Sequence, residues 1–163
     1  RLWLSRGGTT MDVKMINPFI EAFYEVMPQL GFASVRKSKV VAGDGTVEGH
    51  GVAMSIAVVG HVTGNAVYSL DEEDARKVAS KMMMGMPVET LDEMAQSALS
   101  ELSNMLTARA SILFEKEGYQ TNISVPTIVC GENFNMKIGS ERHLEIDMEL
   151  DNDAKMGIHI LVK

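Results

Sequence analysis

Residues 143–163, HLEIDMELDNDAKMGIHILVK, alternate apolar and polar side chains on both sides of a central DND. Leu144, Ile146, Met148 and Leu150 share one parity, and His143, Glu145, Asp147 and Glu149 the other. Met156, Ile158, Ile160 and Val162 repeat the pattern after the turn. A period of two is the mark of a strand with one buried face. Two such strands joined by a tight turn make an antiparallel hairpin, here expected to turn its histidines and carboxylates to water. A hairpin cannot bury an apolar face by itself, so the rest of the chain must supply the covering layer.

That layer reads as helices. NPFIEAFYEVMPQLG (17–31) predicts a first helix, with Asn17 as cap, Pro18 in its first turn and Pro28 and Gly31 ending it. Its buried stripe is Phe19, Ile20, Phe23, Met27 and Leu30. DEEDARKVASKMMMG (71–85) predicts a second helix, acidic in its first turn and stopped at Gly85. Residues 90–118 predict a third and longest helix, with Thr90 and Glu93 as a capping box and Gly118 as the stop. Between the first two helices, 32–41 reads as a strand and AGDGTVEGHG (42–51) as a loop. VAMSIAVVGHVTGNAVYSL (52–70) reads as a hairpin about Gly60 and Gly64. YQTNISVPTIVCGE and NMKIGS supply further extended segments before the final hairpin. The expectation is an α+β domain, a long antiparallel sheet with about three helices packed on it. A hairpin and a helix in each part suggest internal duplication.

Composition narrows the function. The 163 residues are enough for one domain with its own core, assigned to 11–163. RLWLSRGGTT (1–10) reads as a vector remnant or disordered leader outside the fold. A net charge of −7 argues against nucleic acid as a partner. The single cysteine, Cys130, cannot form an internal disulfide and suits a reducing cytoplasm. No apolar run approaches the roughly 20 residues needed to span a membrane. The 13 methionines read as core filling, with KMMMGM (81–86) their one cluster and Met82–Met86 an open question as a partner contact.

The third helix holds the candidate site. Its apolar stripe runs through Leu91, Ala95, Ala98, Leu102, Met105, Leu106 and Leu113. Glu101 and Asn104 lie roughly 100° and 160° from the stripe's centre, three residues apart on one side. Glu93, Ser97, Ala108, Ser111 and Glu115 share that side. The Glu–Lys pairs of a solvated helix face are missing from its central turns. Between 91 and 115 the only basic residue is Arg109, on the apolar side. A smooth face with one carboxylate and one amide admits another surface closely, although serine and alanine also simply tolerate a helix.

The stretch LDEMAQSALSELSNMLTARAS resembles the signature of the CheC/CheX/FliY family of chemotaxis phosphatases, whose active sequence is E-x-x-N on a helix, here Glu101-Leu102-Ser103-Asn104. VVGHVTGNAVYSLDEEDARKVASKMMMGM resembles the family's hairpin and following helix, and the likeness extends over about 12–163. One E-x-x-N, with none in the first helix, points to the CheX branch. The resemblance implies a phosphatase acting on the phosphoaspartate of a CheY-like receiver domain. Asn104 would orient the attacking water and Glu101 would dock on the receiver's lysine. Ser97, Ser100, Ala108 and Ser111 would allow the partner close. No cofactor of its own is expected, the receiver bringing its Mg²⁺. The family also implies homodimerisation through sheet edges, for which the long C-terminal strands are candidates. The alternative is a non-catalytic receiver-binding or flagellar-switch-like module.

Other chemistry finds less support. His50, His61, His143 and His159 lack close ligand spacing, so no metal site is expected. DNDAKMG (151–157) lacks a calcium loop's later ligands and reads as a turn. GDGTVEGHG (43–51) fits no phosphate-loop pattern, and no G-x-S-x-G elbow is present.

Overall fold

A computed structural model of the chain describes residues 3–6 and 9–163, with side chains described from Lys14 onward. Among these residues three α-helices accompany a seven-stranded antiparallel sheet, as the patterning predicts. The segment read as a leader contains a short strand, β1 (Trp3–Arg6), and the start of a second, β2 (Thr9–Asp12). They pair with each other in a sheet of their own.

The main sheet begins at β3 (Val35–Gly43). Its other long strands are β5 (Gly51–Gly60), β6 (Gly64–Asp71), β10 (His143–Leu150) and β11 (Ala154–Val162). The order is β3-β10-β11-β6-β5. The two predicted hairpins therefore meet at β6 and β11, where Tyr68 lies opposite Ile158 and Val67 opposite His159. Asp151 and Asn152 turn the last hairpin with φ of 56° and 54°, as a tight turn between right-twisted strands requires. The outer side of β5 is shared end to end by β7 (Thr121–Ile123) and β8 (Thr127–Cys130). This order overturns the candidate dimer edge. β10 and β11 have neighbours on both sides, and the edges are β3 and β7–β8.

The helices are α1 (Asn17–Gln29), α2 (Glu72–Met82) and α3 (Glu93–Lys116). Pro18 starts α1, but Ile16 occupies the cap position, so Asn17 already lies inside the helix. The cap of α3 is Asp92, whose carboxylate accepts from the Ala95 N–H at 2.9 Å in place of the expected Thr90 box. α2 ends near Gly85, whose N–H donates to the Ser80 carbonyl at 2.8 Å with φ +87°. One continuous core joins the helices to the sheet through Phe23, Met27, Leu102, Leu106, Phe114, Tyr68, Ile146 and Ile158.

The other face of the sheet is not the wet face that alternation predicts. His143 is 0% exposed and His159 6%. The 42–51 segment contains a strand, β4 (Thr46–Gly49), paired with β9 (Phe134–Lys137), and this ribbon with its flanks covers that face. Val47 is buried, and the Asn65 side chain donates to the Ile138 carbonyl. Gly43 is obligatory here, because a Cβ would fall 2.1 Å from His143 Cε1. The Gly45 N–H donates to His143 Nδ1 at 2.9 Å, so the neutral ring carries its proton on Nε2. That nitrogen faces Glu145 Oε1 at 3.4 Å, and His159 Nδ1 faces the same oxygen at 3.3 Å. His159 Nε2 lies 2.8 Å from the Ser69 hydroxyl. Both contacts to Glu145 are longer than good hydrogen bonds. Burial pulls the His143 pKa below its ordinary value, against the opposing pull of Glu145 and Asp44. Burial, with the neighbouring His143, pulls His159 down to about 4.

Two outcomes follow from this packing. Tyr68 and Thr107 are both 1% exposed, and the Tyr68 hydroxyl lies 2.9 Å from Thr107 Oγ1. Thr107→Val strips the phenol of its partner and is expected to lower unfolding free energy by about 1–3 kcal/mol in urea titration. In the unfolded chain His159 takes up a proton near 6.5, and in the folded protein only near 4. Between these values the unfolded state holds the extra proton. This contribution is therefore complete above about pH 6.5 and is lost as pH falls, by about 2 kcal/mol at pH 5. Urea midpoints of wild type and His159→Gln at pH 7.5 and 5 measure it; equal pH slopes in the two proteins would refute the assignment.

Candidate functional site

α3 is held on three sides. Towards α1, Arg109 pairs with Glu25, and the rings of Phe19 and Phe114 meet edge to face at 5.6 Å. The Arg109 guanidinium holds the Glu25 carboxyl below its ordinary range. Towards the sheet, Thr107 accepts from Tyr68 and donates to the Ser103 carbonyl at 2.8 Å. The Ser103 hydroxyl in turn donates to the Ser100 carbonyl at 2.7 Å. Towards β7, Ser111 Oγ meets Thr121 Oγ1 at 2.5 Å.

The buried stripe is consequently rotated from the predicted one. Leu99, Ser103, Thr107, Ala110 and Phe114 are buried, whereas Leu91, Ala98 and Met105 are half-buried. Two hydroxyl residues sit in the core because each satisfies its own helix's carbonyls, a bond that hydropathy does not register.

The remaining face of α3 forms one wall of an open groove of about 610 Å³. Glu93, Gln96, Ser97, Ser100, Glu101 and Asn104 supply that wall, and Val125, Pro126 and Ile128 the other. Glu101 is exposed and Asn104 half-buried. At a separation of three residues their Cβ atoms lie about 5–6 Å apart on one face. Neither side chain has a hydrogen-bond or ion-pair partner among the described residues. Arg109, the one cation on these turns, is taken by Glu25. The groove therefore presents an unpaired carboxylate beside an amide with free donor and acceptor capacity.

The groove brings together four of the six predicted site residues, Glu101, Asn104, Ser97 and Ser100. Ala108 is half-buried outside the lining, and Ser111 is committed to Thr121. Sequence reading missed the second wall. VPTIV is visible as an extended segment, but only its pairing with β5 sets it beside α3.

A cation could be sought at His143, Glu145 and His159, whose ligand atoms lie within 4.8 Å of one another. Ligation through His143 Nε2 would require its proton on Nδ1, where the Gly45 N–H points. Both nitrogens that face Glu145, His143 Nε2 and His159 Nδ1, are buried without a hydrogen-bond partner among the described residues. His50 and His61 are engaged elsewhere, with Asn133 and Gln120. No helix among the described residues is long and apolar enough to cross a membrane.

Comparison with known proteins bears on the fold and the family. The profile of the family described as chemotaxis phosphatase CheX matches residues 52–149. The chain is 30% identical over 153 residues to the CheY-P phosphatase CheX of Thermotoga maritima, covering 94% of this chain and 98% of that one. Its fold matches the crystal structure of a CheC-like superfamily protein from Shewanella sp. PV-4 with TM-score 0.82 and 24% identity, covering 94% of this chain and 99% of that one. It matches the CheX–CheY–BeF3–Mg²⁺ complex from Borrelia burgdorferi with TM-score 0.76 and 25% identity, covering 93% and 99%. A helix carrying Glu101 and Asn104, the sheet beneath it and the extent of these matches all lead to one assignment: the chain belongs to the CheX family of chemotaxis phosphatases.

Proposed function

We propose that this chain hydrolyses the aspartyl phosphate of a CheY-like receiver domain, with Asn104 orienting the attacking water and Glu101 docking on a receiver lysine. The observation that carries the reading is that Glu101 and Asn104 line one groove and have no partner within the described chain. The relative named a CheY-P phosphatase supports the substrate class, and the relative held with CheY, BeF3 and Mg²⁺ supports the partner.

The chemistry asks little of this chain. Water attacks phosphorus in line, its oxygen forms the new P–O bond, and the bond to the aspartyl oxygen breaks. The receiver's carboxylate leaves as an anion, and the water's proton passes to phosphate or solvent. The receiver supplies Mg²⁺ to neutralise the phosphoryl oxygens, so this chain needs no cofactor of its own. What remains is placement of the water, which dominates phosphoryl transfer when charge is already neutralised. An amide suits this task, because it can accept from the water and donate to a phosphoryl oxygen without titrating. Glu101, one turn away, fixes the depth of insertion. Desolvation offsets much of its attraction to a lysine, so its part is register and encounter more than affinity. Cytoplasmic residence follows from such a substrate. Should the chain pair with a second copy through its sheet, β3 and β7–β8 are the available edges.

The test is phosphate release from CheY-like receivers of the same organism, each charged with phosphoramidate in Mg²⁺. Asn104→Ala is expected to lower kcat by about 10²–10³ while receiver binding persists, the scale of one preorganised polar group. Glu101→Gln is expected to raise KM several-fold and to flatten its dependence on ionic strength. Binding without acceleration on every receiver would support the non-catalytic module instead.

A further inference from the structure

The second wall of the groove has an unusual composition for solvent-facing structure. Val125 is 81% exposed, and the half-buried Pro126 and Ile128 lie beside it. The segment is not a loose tip. It is pinned on either side, by Ile123 against Val58 and by Thr127 against Ser55. Between these pairs the Ser124 N–H donates to the Ala57 carbonyl at 2.9 Å, and the Ala57 N–H donates to Ser124 Oγ at 2.9 Å. The Ser124 hydroxyl bonds onward to the Val125 carbonyl at 3.0 Å. Pro126 removes a further degree of freedom. Val125 is thus an exposed apolar side chain on a backbone pinned to either side of it, across the groove from Glu101 and Asn104.

Lone exposed apolar residues are ordinary on protein surfaces. Val125 differs by its place. Asn104 is half-buried on the opposite wall of the same groove, so a surface that fills the groove against Asn104 also meets Val125. Burial of a fixed side chain releases water with little loss of conformational freedom. The carboxylate wall and the apolar wall then divide the work, one selecting a cation and the other adding contact area.

We infer that Val125, with Pro126 behind it, is the apolar docking contact for the phosphorylated receiver, setting affinity for that partner without taking part in the chemistry. The inference rests on the receiver-phosphatase reading above. It assigns the occupant a surface with an uncharged, apolar patch beside the cation that meets Glu101.

Steady-state phosphate release is measured against the concentration of phosphoramidate-charged CheY-like receiver for wild type, Val125→Asp, Val125→Leu and Asn104→Ala. Circular dichroism confirms that each variant is folded. Val125→Asp is expected to raise KM about tenfold with kcat unchanged at saturation, the scale of one lost central apolar contact. Val125→Leu is expected to keep KM within about twofold of wild type, because a leucine restores the apolar area. Asn104→Ala is expected to do the reverse of Val125→Asp, lowering kcat with little change in KM. An unchanged KM in Val125→Asp, or a loss confined to kcat, would overturn the inference while leaving the phosphatase reading intact. If wild type accelerates no receiver, the phosphatase reading fails, and dissociation constants for the beryllofluoride-activated receiver decide the role of Val125. Equal constants for wild type and Val125→Asp, or no binding by either, then overturn it.

Discussion

The bond between the Tyr68 hydroxyl and Thr107 determines how α3 is rotated about its own axis. Tyr68 rises from the middle of the sheet, opposite Ile158 on β11, and its hydroxyl can be satisfied only if Thr107 faces inward. Once Thr107 and Ser103 point to the sheet, the helical period decides everything else on α3. Leu99, Leu102 and Leu106 enter the core, and Glu101 and Asn104 turn to the groove. Rolling the helix by one residue would bury the carboxylate and strand a phenol in apolar surroundings. Both changes leave a polar group without water or partner. The site's orientation is thus fixed by a hydrogen bond on the far side of the helix.

Elements governed by local pattern were readable from the sequence, and elements created by distant pairing were not. The Gly60–Gly64 hairpin, the DND hairpin and the three helices each announce themselves by period, turn residues or caps within a short window. The Glu101–Asn104 pair was readable for the same reason, since residues three apart on a helix are neighbours wherever the helix goes. β4 was missed because its partner β9 lies about ninety residues later, and AGDGTVEGHG carries turn residues in place of a strand pattern. His143 and His159 were placed in water for the same reason, their cover being that unseen ribbon. Asp92 displaced Thr90 as the cap of α3 because two adjacent residues both had suitable side chains, and propensity alone does not choose between them. The groove's second wall needs β7 and β8 laid along β5, which no local signal encodes.

Several charged side chains pair with one another: Glu25 with Arg109, Glu149 with Arg36, Lys77 with Asp153 and Lys163 with Glu141. Glu101 has no such partner among the described residues, and beyond Glu93 its groove neighbours are uncharged. An unpaired carboxylate on a smooth wall contributes nothing to folding. Its field is available to an incoming cation, and in a chain of net charge −7 that field is attractive to basic surfaces from some distance.

The β3 edge behaves oppositely. It is nine residues long and carries exposed Arg36, Lys37, Lys39 and Val40. Basic residues on an open strand are a common guard against adding another strand. Two copies joined there would place their lysines along the same strip, so dissolved salt would ease that approach by screening like charges. Salt would weaken the attraction of any cation to Glu101. Ionic strength would therefore act in opposite directions on pairing at the β3 edge, which it would ease, and on a cation approaching Glu101, which it would screen.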